Sequence, residues 1–190
     1  MARRLQLLAP DLAGWRMAGP GGFRQIAEGV IESHGGSGLF WYANESFDDF
    51  VLTVDWRTTG QEDNSGVFLR SPPLLDNPQP AIERGYEVQI DDRGLDPERN
   101  VLNSPLYRTG ALYKLAPAFR RNSTPVGVWN AFEVTASGSC ISVDLNGENI
   151  SRLEDASREM RGHIGLQCHH EGSAVQFRNL SVTPLTAQKD

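Results

Sequence analysis

The sequence predicts an all-β fold, a jelly-roll sandwich of two packed antiparallel sheets. Three observations support this: apolar and polar residues alternate in many short segments, helical periodicity is scarce, and 19 glycines and 11 prolines are spread along the chain. Alternation with a period of two is typical of strands that bury one face and expose the other. With 190 residues the chain is long enough for one domain with a substantial core, and we expect a single domain over residues 1–190.

Several segments show the alternation clearly. The segment 141–145 ends at Asn146–Gly147, a dipeptide that favours a two-residue hairpin turn, so another strand is expected after it. Strands with one apolar and one polar face predict antiparallel sheets that are packed on one side and wet on the other. The clearest strands are predicted at 49–57, 66–70, 86–91, 141–145, 164–169 and 175–182.

Helical periodicity is weak by comparison. Residues 153–160 could form two helical turns, with Ser151 as the N-cap and Gly162 as the terminating residue. The proline-containing segment 71–84 and the segment 93–105 are predicted to be long loops. Loops of this length in a compact domain more often carry function than merely connect strands.

The charge of the chain narrows the range of partners. Its formal net charge of −6 argues against a phosphate backbone as ligand, so no nucleic-acid partner is predicted. The apolar residues before Pro10 are too few for an export signal or a membrane span. We therefore expect no membrane partner and a cytoplasmic location.

The two cysteines are predicted to be free thiols. Cys140 and Cys168 have neither a metal-like nor a redox-like spacing. Cys168 shares a strand face with Ile164 and Leu166 and should point to the core, whereas Cys140 should point outward.

No metal or cofactor is required by the sequence. His169 and His170 are adjacent, and because neighbouring residues of a strand point in opposite directions, they should not hold one ion together. A structural calcium bound by loop oxygens around Asp91, Asp92 or Asp96 is the alternative that remains open.

Polar side chains on the predicted strands indicate a carbohydrate ligand. Sugars need planar hydrogen-bonding partners for neighbouring hydroxyls and an apolar surface for their C–H faces. For the polar side chains of any one strand, an ordinary solvated sheet face is the alternative explanation. The candidate rows are Asn64, Phe68 and Arg70; Glu87, Gln89 and Asp91; and Gln167 and His169.

The carboxylates argue against an ordinary glycosidase pair. Such a pair stands about 5–5.5 Å apart for retention or roughly 6.5–9.5 Å apart for inversion. Glu87 and Asp91 lie four positions apart on one strand, which at about 3.3 Å per residue separates them by about 13 Å. A single carboxylate acting with a histidine or an arginine fits better, unless Arg70 and Glu87 merely form a cross-strand ion pair.

Taken together, these segments resemble the 3-keto-disaccharide hydrolase domain family, earlier named DUF1080. The matching blocks occur in the family's order and extend from about Trp15 to Pro184. The blocks are Phe50–Leu52, Asn64–Arg70, Gly85–Ile90, Thr109–Tyr113, Trp129–Asn130, Leu145–Gly147, Gly165–Gln167 and Phe177–Leu180.

The resemblance implies a concanavalin A-like jelly roll, similar to laminin-G modules, and cleavage of glycosides oxidised to a ketone at sugar C3. Where the family usually has Gln-Asp-His, this chain has Gln167-Cys168-His169, so a thiol replaces the carboxylate. We expect the site on the concave sheet.

A C3 ketone acidifies the hydrogen at C2, so one base can remove it and expel the group at C1, after which water adds to the enone. The hypothesis assigns Glu87 as base, Arg70 with Gln89 to the enolate oxygen, and His169 as acid or second base. Residues expected to bind substrate are Asn64, Phe68, Gln89, Asp91, Tyr113 and Gln167. A non-catalytic, lectin-like carbohydrate-binding module is the main alternative, and a laminin-G-type interaction module is a third.

Overall fold

Two antiparallel sheets form the protein, as the sequence predicts. The computed structural model describes residues 3–185; the remaining residues at both ends, and with them the ends of the predicted domain, lie outside the described part. Eight strands form the first sheet: β1 (Leu5–Gln6), β3 (Gly22–Ala27), β4 (Val30–His34), β6 (Phe50–Thr58), β9 (Asn130–Ser137), β10 (Cys140–Leu145), β11 (Glu148–Leu153) and β13 (Val175–Pro184). Five strands form the second: β2 (Trp15–Ala18), β5 (Gly38–Tyr42), β7 (Ser65–Ser71), β8 (Tyr86–Ile90) and β12 (His163–Cys168).

The chain passes repeatedly from one sheet to the other, which is the connectivity of a jelly roll. The eight-stranded sheet has the order β11-β10-β9-β6-β13-β4-β3, with β1 beside β13. The five-stranded sheet has the order β2-β5-β12-β7-β8, so β12 and β7 lie near its centre.

A hydrophobic core fills the space between the sheets. Strand β6 contributes Phe50, Leu52, Val54 and Trp56, all buried, while the residues between them are partly exposed. The five-stranded sheet meets them with side chains such as Val67, Val88 and Leu166. The residues that alternate with these point away from the core, onto what we call the outer face of the five-stranded sheet.

The structure corrects both helix expectations. The predicted helix at 153–160 is wrong: β11 runs through Leu153, which pairs with Ile141, and irregular backbone follows. Conversely, the segment 71–84 contains α1 (Gln79–Arg84). Pro78 is the N-cap residue and Pro80 lies in the first turn, where a missing N–H costs no intrahelical hydrogen bond, and Ala81 packs inward. Among residues 3–185, no helix has both the length and the apolar character that crossing a membrane requires.

Residues 109–113 extend the five-stranded sheet along the free edge of β8. The backbone N–H of Tyr113 donates to Glu87 O at 2.9 Å, and that of Gln89 donates to Ala111 O at 3.0 Å. This pairing places Tyr113 beside Glu87, although the two are distant in sequence.

Arg70 does not lie where the alternation of β7 predicts. Its backbone has φ = 50° and its side chain is fully buried. The guanidinium donates to Asp48 O, Gly138 O and Asp49 Oδ1 at 2.9–3.1 Å, where the loops before β6 and after β9 meet. The left-handed backbone interrupts the alternation, so the predicted neighbourhood of Arg70 and Glu87 is wrong, and so is the ion pair between them.

Arg70 is therefore expected to act on stability. Replacing it by leucine removes donors from two backbone carbonyls and from Asp49, and we expect a loss of about 2–4 kcal/mol in the free energy of unfolding. Arg120→Leu is the control, because Arg120 forms an ion pair with Glu148 in which both side chains are exposed, and it should contribute less than about 1 kcal/mol. Denaturant unfolding of both variants tests this, and equal losses would contradict the role of Arg70.

Candidate active site

A pocket of about 560 Å³ opens on the outer face of the five-stranded sheet. Strands β5, β7, β8 and β12 form its floor, and α1 with the residues that follow β8 forms its rim. The predicted site residues that line it are Asn64, Phe68, Glu87, Gln89, Tyr113, Gln167 and His169. Arg70 and Asp91 are the predicted residues that do not line it.

The two segments predicted as long loops shape the pocket. A second, smaller apolar cluster joins Phe68 and Trp41 on the outer face to Leu74 and Ala81 from the first segment. This packing covers one part of the outer face and leaves the pocket beside it. Rim residues from the two segments include Pro78, Gln79, Ile82, Leu95 and Pro97.

Glu87 projects into the floor over a glycine. It lies opposite Phe68 in the β7–β8 register, and Gly66 lies opposite Gln89. A Cβ added to Gly66 would come within 2.3 Å of Glu87 Oε1 and 2.8 Å of Glu87 Cγ. The carboxylate therefore leans across β7 toward β12, and the space it needs exists only because residue 66 has no side chain.

Burial raises the pKa of Glu87 to about 8, although a hydrogen bond from the side chain of Gln167 lowers it somewhat. Among the described residues, Glu87 forms no ion pair that would favour its charged form. A carboxylate in such surroundings is a stronger base than usual and accepts a proton readily near neutral pH.

A chain of polar side chains lies behind the floor. The Asp91 carboxylate is fully buried and accepts hydrogen bonds from the backbone N–H and Nε of Arg93 and from Asn64 Nδ2, at 3.0–3.3 Å. Gln89 Nε2 in turn lies 3.5 Å from Asn64 Oδ1. Asp91 thus supports residues of the pocket and does not line it, which corrects its predicted role in direct substrate binding.

Arg93 is the pocket cation that the sequence analysis missed. It lines the pocket and its side chain is 28% exposed, with Nε bonded to Asp91 at 3.1 Å. Its signal in the sequence is the Asp91-Asp92-Arg93-Gly94 run at the end of a strand, where Gly94 has φ = 59°. Such a turn folds the arginine back over the strand end, and alternation of residues along strands does not reveal it.

The two adjacent histidines lie closer together than strand geometry predicts. Strand β12 ends at Cys168, so the opposite orientation expected for strand neighbours does not apply, and the Nδ1 atoms of His169 and His170 are 2.9 Å apart. Burial, His170 and Arg93 lower the pKa of His169, against an opposing effect of Asp91. His169 is therefore in its neutral form at the pH where Glu87 ionises.

The possible calcium ligands are engaged in loop hydrogen bonds. Asp92 Oδ1 accepts from Thr109 Oγ1 at 2.6 Å, and Asp96 Oδ1 accepts from the backbone N–H of Glu98 at 3.0 Å. No group of three or more His, Cys, Asp or Glu side chains within residues 3–185 could hold a metal ion. Structural calcium remains a prediction that these residues do not favour.

Cys168 contributes a neutral group to the pocket wall. Both cysteines are free, as expected, and Cys168 is buried while Cys140 is partly exposed. The Cys168 thiol donates to Gly22 O at 3.1 Å, and burial raises its pKa to about 11. It stays protonated near neutral pH and does not replace a carboxylate as a base.

Comparison with known proteins identifies the family. The model of the 3-keto-alpha-glucoside-1,2-lyase-like domain matches residues 7–183. The chain belongs to this family. The match confirms the resemblance seen in the sequence blocks and covers nearly the whole chain. No curated protein sequence matches this lyase-like domain.

Solved structures confirm the fold of this lyase-like domain. A proposed glycosyl hydrolase from Parabacteroides distasonis ATCC 8503 is 23% identical, with a TM-score of 0.78 over 96% of this chain and 94% of that chain. The carbohydrate-binding module CBM66 from Bacillus subtilis is 16% identical, with a TM-score of 0.66 over 90% and 95%. A galectin-like protein of unknown function from Bacillus subtilis is also 16% identical, with a TM-score of 0.69 over 95% and 94%.

The space over Gly66 can be tested by filling it. In Gly66→Ala the new methyl group should displace the Glu87 carboxylate toward solvent and lower its pKa toward the usual range. Carboxyl-carbon NMR titration of Glu87 measures this. Gly60→Ala is the control, because its Cβ would meet only ordinary contacts at 3.6 Å and beyond, and it should leave the Glu87 titration unchanged. An unchanged pKa in Gly66→Ala would contradict this account of the floor.

The raised pKa of Glu87 also predicts how stability depends on pH. Between its ordinary value of 4.5 and about 8 the folded protein holds one proton more than the unfolded chain, so this group's contribution to stability falls as pH rises through that window. Glu87→Gln removes this titrating group. The free energy of unfolding of the variant, relative to that of wild type, should therefore rise by a few kcal/mol between about pH 5 and about pH 8.

Unfolding measured across this pH range tests the prediction. The control is Glu133→Gln, because Glu133 is exposed on β9 in the other sheet. Its stability difference from wild type should stay constant with pH. A constant difference for Glu87→Gln as well would show that Glu87 is not protonated in the folded state.

Proposed function

We propose that this protein cleaves glycosides that carry a ketone at sugar C3, by elimination of the aglycone and addition of water. The observation that carries the proposal is a single buried carboxylate, Glu87, at the floor of a sugar-sized pocket, with its pKa raised to about 8. Family membership supports a carbohydrate substrate and glycoside cleavage. The ketone at C3 is proposed because a single carboxylate is sufficient to cleave a 3-keto-glycoside.

One base is sufficient for this reaction. The ketone at C3 acidifies H2, and Glu87 accepts that proton as the electron pair of the C2–H bond moves into an enolate. The enolate then expels the oxygen at C1, which forms the C1=C2 double bond of an enone. The pocket offers one carboxylate rather than the pair that ordinary glycoside hydrolysis needs, and this favours elimination.

Arg93 takes the role that the sequence hypothesis gave to Arg70. Asp91 binds the Nε of Arg93, which leaves the terminal amino groups as donors toward the pocket. A fixed guanidinium stabilises negative charge on the C3 oxygen as the enolate forms. Gln89 is less suited to this, because its amino group faces Asn64.

The remaining protons are moved by groups of the pocket. Glu87 carries the proton taken from C2 and can return it to the leaving oxygen when both lie on one face of the ring. Neutral His169 is suited to accept a proton from the water that adds at C1. The overall change is 3-keto-glycoside plus water to free 3-keto sugar plus alcohol, and its atoms balance without a cofactor.

Sugar binding without catalysis is the second candidate. It is favoured by the likeness to CBM66, whose name describes a carbohydrate-binding module, and by the thiol at Cys168 in place of the family's carboxylate. The same pocket would bind the ring in both cases, so only turnover distinguishes them.

Turnover of a 3-keto-glucoside with a chromogenic aglycone tests the proposal. We expect release from the keto compound and none from the unoxidised glucoside. Glu87→Gln should lower kcat by about 10²–10⁴-fold because the base is lost, while Glu133→Gln should match wild type. Binding of both glucosides without release would identify the non-catalytic module instead.

The pH profile provides a separate test of the base. Since Glu87 must be ionised to accept H2, kcat/KM should rise by about tenfold per pH unit below its pKa and level off above about pH 8. A profile that is already level near pH 5 would exclude Glu87 as the titrating base.

A further inference from the structure

We propose that the pocket recognises its sugar ring through two hydroxyl groups, which donate hydrogen bonds to Gln89 Oε1 and Gln167 Oε1. Both oxygens are buried and have no hydrogen-bond partner among the described residues, and both residues line the pocket. This proposal rests on the proposed carbohydrate function and adds which hydroxyl groups of the sugar ring the pocket floor recognises.

The two oxygens flank the Glu87 carboxylate. That carboxylate lies over Gly66, which pairs with Gln89 on one side. On the other side, Leu166 pairs with Val67, and the same antiparallel register extended by one residue places Gln167 next to Gly66. A ring placed for attack by Glu87 therefore lies between the two amide oxygens.

Asp91 sets the direction in which Gln89 points. A carboxylate bonded to the backbone N–H groups of Arg93 and Leu95 can only accept, so Asn64 must turn its amino group toward it, at 3.3 Å. Asn64 Oδ1 then faces Gln89 Nε2 at 3.5 Å. Reversing the Gln89 amide would oppose two oxygens, so Gln89 Oε1 remains the acceptor that is left without a partner. Asp91 is thus a positioning residue.

Glu87 sets the direction of Gln167 in the same way. Gln167 Oε1 has no hydrogen-bond partner among the described residues, and the side chain of Gln167 favours the charged form of Glu87, which is the effect of an N–H donor beside a carboxylate. Once Glu87 is ionised it can only accept, so the amide oxygen of Gln167 is left for another donor. The floor therefore presents two acceptors beside the base, and each favours a ligand with a hydroxyl at that position because an unpaired buried acceptor is unfavourable.

This pattern names a substrate class. In a 3-keto-glycoside, the hydroxyls at C2 and C4 flank the ketone, and the C2 hydroxyl shares its carbon with the hydrogen that Glu87 removes. We infer that the substrates are pyranosides with free hydroxyls at both C2 and C4. Substitution at C6, away from this pair, should be tolerated.

Fluorinated ligands test this without catalysis. Methyl glucoside lacks the ketone and does not react, and replacing a hydroxyl by fluorine removes its donor. The titrations are followed by protein NMR shifts above about pH 8, where Glu87 is ionised. The 2-fluoro and 4-fluoro analogues should each bind about 10–100-fold more weakly than the parent, and the 6-fluoro analogue less than about threefold more weakly. Equal affinities for all four would overturn the proposal.

Variants assign each hydroxyl to its acceptor. The fluorine penalty is the loss of affinity that a fluoro analogue shows relative to the parent glucoside. In Gln89→Met the penalty at one of the two positions, C2 or C4, should vanish, and in Gln167→Met the penalty at the other. Gln79→Met is the matched control, because Gln79 lies on the rim and bonds to exposed Glu83, so it should keep both penalties. Penalties that persist unchanged in both floor variants would contradict the assignment.

Asp91→Asn tests the positioning role. An amide at residue 91 no longer dictates the direction of Asn64, so the penalty assigned to Gln89 should shrink while that assigned to Gln167 persists. General damage to the pocket would weaken the parent and the analogues alike, and that result would overturn the positioning role. The Gln89→Met measurement tests the role of Gln89 whether or not the Asp91→Asn variant folds.

The outcome separates this proposal from the proposed function. Discrimination between the analogues without turnover of the keto-glucoside supports the hydroxyl recognition and contradicts the lyase. Turnover without discrimination does the reverse. Failure of wild type to bind any glucoside would contradict both.

Discussion

Burial of the Glu87 carboxylate without a cation beside it is the constraint on which the pocket depends. Placing a potential charge in such surroundings is unfavourable, and the protein responds by keeping the group protonated up to about pH 8. That arrangement needs space over Gly66 and a covering rim, while the side chain of Gln167 acts in the opposite direction and favours the charged form. The same desolvation that weakens stability as pH rises makes Glu87 a strong base for a C–H bond.

The supporting polar network distributes charge so that the pocket remains nearly neutral. Asp91 neutralises Arg93 and, through Asn64, orients Gln89. Buried polar groups need hydrogen-bond partners, and here a carboxylate that never contacts the ligand determines which amide atoms do. A lectin and an enzyme could share this floor; what distinguishes this pocket is the unpaired acid at its centre.

Much of the architecture was predictable because strand alternation is a local property. The alternation in β6, β8 and β10 identified buried and outward residues correctly, and the outward set on β8 and β12 led to Glu87, Gln89 and Gln167. The errors occurred where alternation stops. Arg70 has left-handed backbone, His169 follows the end of β12, and Pro78 and Pro80 begin a helix rather than prevent one.

The sequence by itself determined the two-sheet fold, the family and most of the residues that share the outer face, because side-chain direction in a strand follows from position alone. Only the tertiary structure decided which of those residues meet. Whether Glu87 has a cation beside it, whether Arg93 or Arg70 reaches the pocket, and which way the Gln89 amide points all depend on contacts between segments far apart in the chain. Burial and hydrogen-bond direction arise only when those segments pack together.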